Sequence, residues 1–270
     1  MGECLLSEGL EKYFLLIEIL LFLAQGHCLQ YFLGSFLEYR MKNRYGGVWV
    51  MVLYAVSRMC MSYLWSVQFG GLAAMGKQTV ALCILAVLAF CFYRGFHALT
   101  LFLVTSFQAV IEISVYVVVV LMDYPMGGVM SLWNWCVREG LITSAKALQL
   151  TSEICTAGMH FLQVTAIVLL IRVSLGRIVK DYREKDYAIR RTELLFILTP
   201  ALAGLLLCTL LRIIIISVED DRQEFLYHRY PMLIVVLPAI LLVSLLSLLY
   251  GVKAFQDIIR LNREKNSRSI

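Results

Sequence analysis

Long apolar stretches separated by short polar interruptions dominate the chain. Runs of membrane length predict helices near residues 13–36, 47–67, 78–93, 98–122, 152–174, 194–218 and 232–252. Most approach the ~20 residues that carry a helix across roughly 30 Å of hydrocarbon. The third is the shortest, and only Tyr93-Arg94-Gly95-Phe96-His97 separates it from the fourth. Turn residues and charge interrupt the apolar pattern at Asn43 to Gly47, Gly70-Gly71, Pro125 to Gly128 and the loop ending at Pro231. Lipid offers backbone groups no hydrogen-bond partner, so spanning elements are helices or closed barrels. Runs such as Val115 to Met122 and Leu233 to Leu249 lack the polar–apolar alternation of a barrel strand. The expected architecture is all-α: a polytopic membrane bundle of about seven transmembrane helices.

Composition agrees. Of 270 residues, 60% are hydrophobic and 16% charged, and the mean hydropathy is +0.78. A soluble domain is roughly half apolar and a quarter charged, so the excess is expected to face lipid. The first run follows an acidic start, Glu3, Glu8 and Glu11 against Lys12, without a small-residue cleavage site, and is expected to be retained. Of the eight cysteines, Cys28, Cys60, Cys83, Cys91 and Cys208 fall in or at the ends of apolar runs, and none forms a CxxC pair. They read as small hydrophobes. Cys4, Cys136 and Cys155 lie nearer the outer face.

Charge sets the orientation. Arg40, Lys42 and Arg44, then Arg94, then seven cations between Arg172 and Arg191, then five between Lys253 and Arg268 fall on one side of the expected bundle, sixteen in all. The other side holds six: Lys12, Lys77, Arg138, Lys146, Arg222 and Arg229. Cytoplasmic loops retain Lys and Arg, so the C-terminus is expected inside and the N-terminus outside. The net charge of +5 is then a topology signal, with no nucleic-acid partner implied. The longest outer segment, Asp123 to Thr151, carries Trp133 and Trp135, and its stretch Ser131 to Leu150 suits either a helix lying on the membrane surface or a plain covering loop.

No soluble-enzyme motif is present. GxxxxGK(S/T), HExxH and GxSxG are absent, and His27, His97, His160 and His228 lack metal-ligand spacing. No metal or cofactor is expected. The informative polar residues are those inside the apolar runs, Glu18, Arg58, Glu112 and Arg212. A charge at the bilayer centre costs about 3 kcal/mol on insertion scales, so such residues face the bundle interior and pair. They either line a polar pocket for a ligand or fix helix packing, and Glu18 and Arg212, nearer helix ends, have a route to the interface. The segment Arg172 to Glu193 mixes both signs and reads as a solvated helical hairpin near anionic lipid.

From Tyr250 onward nothing stops the seventh helix. Val252, Phe255, Ile259 and Asn262 follow the 3-4-3 spacing of a coiled-coil seam, with Asn262 as the polar residue that sets register. Fewer than three heptads do not sustain an isolated coiled coil, so this stretch is expected to open a longer dimeric stalk. Apolar segments followed by Phe255-Gln-Asp-Ile-Ile-Arg-Leu-Asn-Arg-Glu-Lys-Asn-Ser-Arg-Ser-Ile270 resemble the sensor region of bacterial GHKL-type sensor histidine kinases, the two-component receptors that include the Agr-type peptide-pheromone receptors of quorum sensing. The tail carries the specific part; elsewhere the likeness is architectural.

The resemblance implies a seven-helix sensor domain over residues 1–252 in the bacterial cytoplasmic membrane, and the start of a cytoplasmic coiled-coil linker over 253–270. It also implies a homodimer and an extracytoplasmic ligand, a peptide in the case of the Agr-type receptors. This chain departs from the family in lacking an HDxxN phosphoacceptor and an Asn- or Gly-rich ATP site, so it is not expected to be an enzyme by itself. The alternative is a small multi-pass transporter or membrane enzyme with Arg58 and Glu112 as its polar site. A retinal protein is disfavoured because Lys253 sits at the end of the last apolar run. A reporter active only outside the cytoplasm should be silent when fused after Ile270 and active when inserted within Asp123 to Thr151; the reverse pattern would overturn the orientation.

Overall fold

A computed structural model describes residues 2–40, 46–64, 71–95, 97–140 and 145–183, together with Val243. The expected sixth and seventh helices, Arg212 and the seam residues Val252, Phe255, Ile259 and Asn262 lie outside the described residues. Five helices account for nearly everything described: α1 Gly2–Phe36, α2 Gly46–Leu64, α3 Gly71–Phe92, α4 His97–Arg138 and α5 Ala145–Arg183. Among the described residues three stretches are long and apolar enough to cross a membrane, Gly9–Phe36, Leu99–Val119 and Gln149–Lys180, and Gly76–Phe92 is a shorter apolar helix. α2 has 19 residues but carries Ser57, Arg58 and Ser62 within its apolar length.

The helices begin and end for local reasons. α1 closes with the Leu37 N–H donating to the Leu33 carbonyl at 2.8 Å. The chain then extends as strand β1, Glu38–Tyr39, which pairs antiparallel with β2, Tyr93–Arg94, in the register Glu38 to Arg94 and Tyr39 to Tyr93. Arg40 reinforces this clasp, its N–H donating to the Phe92 carbonyl at 2.9 Å. The Tyr39 and Tyr93 rings lie 4.8 Å apart. Because β1 joins α1 to α2 and β2 joins α3 to α4, the pairing holds both connections at one end of the bundle, the end to which the charge pattern assigns Arg40 and Arg94.

Two expectations are corrected at the opposite end. Pro125 to Gly128 is not a break: α4 runs through Pro125 to Arg138 as one helix of 42 residues, about 63 Å at 1.5 Å per residue. Proline removes one backbone hydrogen bond, and packing beyond it compensates; the Trp133 indole N–H reaches the Thr151 hydroxyl of α5 at 3.4 Å. Ser131 to Leu150 is correspondingly not a surface helix. It contains the end of α4, the turn and the start of α5. The stop is Gly140, whose φ of +68° is the left-handed conformation that glycine adopts most readily after a helix. Beyond residue 174, α5 likewise continues to Arg183, so the first part of the expected cytoplasmic hairpin extends a membrane helix.

α4 is the axis. Every residue from Phe102 to Ser114 is buried, and at 3.6 residues per turn such a run has no open side. Phe107 is the hub: its ring stacks on Phe32 of α1 at 6.3 Å and meets Tyr54 of α2 edge-on at 6.0 Å. Leu29, Leu33, Ile171 and Leu175 complete the same core. α1 packs on both α2 and α5, and Gly26 sets its closeness to α2. A Cβ there would stand 2.7 Å from the Met51 carbonyl oxygen, so only glycine permits the approach. Gly26→Leu should lower stability by about 1–3 kcal/mol, the usual cost of overpacking, whereas Gly9→Leu, with open space around it, should change little. Unfolding of both variants in mixed micelles decides it; equal behaviour would mean that the helices part without cost.

Candidate functional site

The polar side chains of the interior form a ladder. α1 and α2 are antiparallel neighbours, so a residue early on one meets a residue late on the other. The Tyr54 hydroxyl donates to Gln25 Oε1 at 3.1 Å, and the Ser62 hydroxyl donates to Glu18 Oε1 at 2.9 Å. Tyr54, Arg58 and Ser62 are spaced four apart and therefore share one face of α2. Arg58 lies between the two rungs and turns towards α4, where its Nη2 stands 3.9 Å from Glu112 Oε1. One turn earlier on α4, Gln108 donates from Nε2 to the same oxygen at 2.8 Å.

The site is largely enclosed but not closed. The side chains of Arg58 and Glu112 are 19% and 9% exposed, and Gln25 and Gln108 are buried. At 3.9 Å the charged pair attracts without forming a hydrogen bond, which needs about 2.7–2.9 Å between such groups. Among the described residues, three buried polar atoms of α4 have no hydrogen-bond partner: Ser106 Oγ, Gln108 Oε1 and Ser114 Oγ. Viewed down the helix, Gln108 and Glu112 point one way and Ser106 and Ser114 another, so α4 offers hydrogen-bonding atoms on more than one side. A water or a polar ligand group is the ordinary complement of such atoms.

The structure thus brings Arg58 and Glu112 together and gives Glu18 a hydroxyl partner instead of a cation. Sequence reasoning missed Gln25, Tyr54, Ser62 and Gln108. Their signal was spacing: Tyr54, Arg58 and Ser62 at four-residue steps, and Gln108 four before Glu112. The described histidines are dispersed: His27 and His97 are exposed, and His160 meets the Phe14 ring edge-on at 5.0 Å. No group of metal-ligating side chains occurs among the described residues. Cys136 and Cys155 are free thiols, as are Cys28, Cys60, Cys83 and Cys91.

No family model, curated protein or solved structure matches this chain. Removing one partner of a buried ion pair strands the other, at about 3–5 kcal/mol when both are fully enclosed. The partial exposure of Arg58 and the 3.9 Å separation place the expected loss for Arg58→Leu lower, at about 2 kcal/mol. Adding Glu112→Leu should restore most of it. A double variant as unstable as the sum of the single ones would show that the two side chains do not interact.

Proposed function

We propose that this chain is the membrane-embedded sensor module of a two-component signalling receptor. In this reading it detects an extracytoplasmic stimulus and passes it through the seventh helix to a cytoplasmic histidine kinase. The observation that carries it is the continuity of α4. One unbroken helix joins a hairpin that projects past Pro125, with Leu132 and Trp135 exposed, to a charged pair at Glu112 in the packed core. Contact with the hairpin would act on a rigid lever whose other arm is the interior polar site. A ligand shifts such an element only by as much as it prefers one arrangement over another, and the weakly engaged Arg58–Glu112 pair has room for two.

The bundle has seven helices in this reading, with the hairpin outside and the β1–β2 clasp facing the cytoplasm. Lipid surrounds it, and a second copy joins it along Val252, Phe255, Ile259 and Asn262. The chain itself performs no chemistry and needs no cofactor; the kinase supplies the reaction. The alternative, a small transporter or membrane enzyme, draws support from the atoms of Ser106, Gln108 and Ser114 that lack partners among the described residues, which would suit passage or binding of a polar solute.

The tail separates the two. A helix running unbroken from about Met232 to Asn262 measures some 45 Å at ~1.5 Å per residue, beyond what hydrocarbon requires. Its apolar stripe would then need a partner. Single cysteines at Val252, Phe255 and Ile259 should crosslink between chains in native membranes several-fold faster than cysteines at Lys253 and Asp257. Uniform crosslinking at all five would remove the stalk and favour the transporter reading.

A further inference from the structure

We infer that a second site, a cleft of 190 Å³ between α1, α4 and α5, binds a small uncharged amphipathic ligand with one aromatic or branched apolar group and one hydrogen-bonding head. It lies towards the end of the bundle from which the α4–α5 hairpin projects, away from the Arg58–Glu112 pair, and the proposed function does not require it. Phe14 of α1, Val119 and Met122 of α4, and Met159 of α5 supply apolar walls; Thr156, His160 and Gln163 of α5 supply polar atoms.

The cleft arises from a change along one face of α5. Ile167, Ile171, Leu175 and Ile178 are buried in the core. The same face continues backwards as Gln163, His160, Met159 and Thr156, at steps of three and four, yet each of these is only half-buried. α4 shows the same transition, from the wholly buried Phe102 to Ser114 to the half-buried Val119 and Met122. The helices do not simply separate there. The Tyr13 hydroxyl donates to the Ala157 carbonyl at 2.9 Å, and Phe14 packs on His160, so α1 and α5 remain joined beside the opening. The cleft is thus framed by contacts between α1 and α5.

Its chemistry narrows the occupant. At ~30 Å³ per water the space equals about six waters, the size of one ring or branched group. Thr156 already spends its hydroxyl on the Ser152 carbonyl at 2.9 Å. Gln163 and His160 remain, each able to donate and to accept, and no hydrogen bond engages the Gln163 amide among the described residues. Two methionines add adaptable, polarizable walls. An acyl chain of lipid would satisfy the walls and leave Gln163 unmet, whereas a ring bearing one N–H or O–H satisfies both.

Indole and its N–H-free counterpart indene are the probes, measured by saturation-transfer NMR on the purified chain in nanodiscs. Wild type should bind indole at least tenfold more tightly than indene. Gln163→Leu should abolish that preference, and Thr156→Trp, which fills the space, should abolish binding of both. Should Thr156→Trp fail to fold, the rate at which a soluble maleimide modifies Thr156→Cys, in a chain whose native cysteines are replaced by alanine, is read instead, with indole slowing it several-fold and indene not. Equal retention of the two probes in wild type and filled variant, or no protection of the cysteine, overturns the site and leaves partition into lipid. The readout is binding alone, so its failure leaves the signalling proposal standing, and failure of the stalk leaves this site standing.

Discussion

The rest of the structure depends on one condition: α4 has no lipid-facing side through its middle. Thirteen successive residues, Phe102 to Ser114, are buried, and the other helices are placed where they cover them. In a bilayer this arrangement is not driven by removing apolar groups from water, since lipid tails are as apolar as leucine; close packing and internal hydrogen bonds take that part. The aromatic contacts of Phe107 with Phe32 and Tyr54 hold α1 and α2 against the axis. They enclose Gln108 and Glu112, which would be costly on the outside. Polar residues in α4 are therefore a consequence of its central position and also a reason for it.

Much of this was legible because hydrocarbon thickness dictates length. The apolar runs over α1 to α5 announced helices, since membrane length is a local signal, whereas Gly46 and Gly47, read as part of a break, open α2. Pro125 to Gly128 misled for the same reason. The local rule says that proline and paired glycines end a helix, but the decision rests on contacts such as that of Trp133 with Thr151, which are 18 positions apart in chain order and invisible to a local reading. The true stop, Gly140, carried the ordinary glycine signal and was overshadowed. The β1–β2 clasp left no trace in the pattern because two-residue strands are too short for alternation to show.

The site was legible in its charges and illegible in its partners. Glu18, Arg58 and Glu112 stand out in apolar sequence, and the rule that intramembrane charges pair limits where they point. It does not say which acid meets Arg58. That choice follows from the antiparallel register of α1 and α2, fixed by Gly26 against Met51, which sets Glu18 opposite Ser62 and leaves Arg58 free to reach α4. Gln25, Tyr54 and Gln108 were passed over because neutral polar residues are common in membrane helices and carry no insertion penalty large enough to flag them.

Enclosure and incomplete pairing together give the interior its mechanical character. Had Arg58 and Glu112 met at hydrogen-bond distance with every neighbour satisfied, the network would lock α2 to α4 and resist displacement. Instead the charges stand about 1 Å beyond the charge-assisted distance, one carboxylate oxygen serves both Arg58 and Gln108, and the amide oxygen of Gln108 has no hydrogen-bond partner among the described residues. A carboxylate accepts several hydrogen bonds, so Arg58 has room to close on Glu112 while Gln108 keeps its own bond. Packed cores change between discrete arrangements instead of deforming smoothly. A partly engaged charged pair beside an unmet amide oxygen suits such an element, and it joins α2 to α4, the helix that forms one arm of the α4–α5 hairpin.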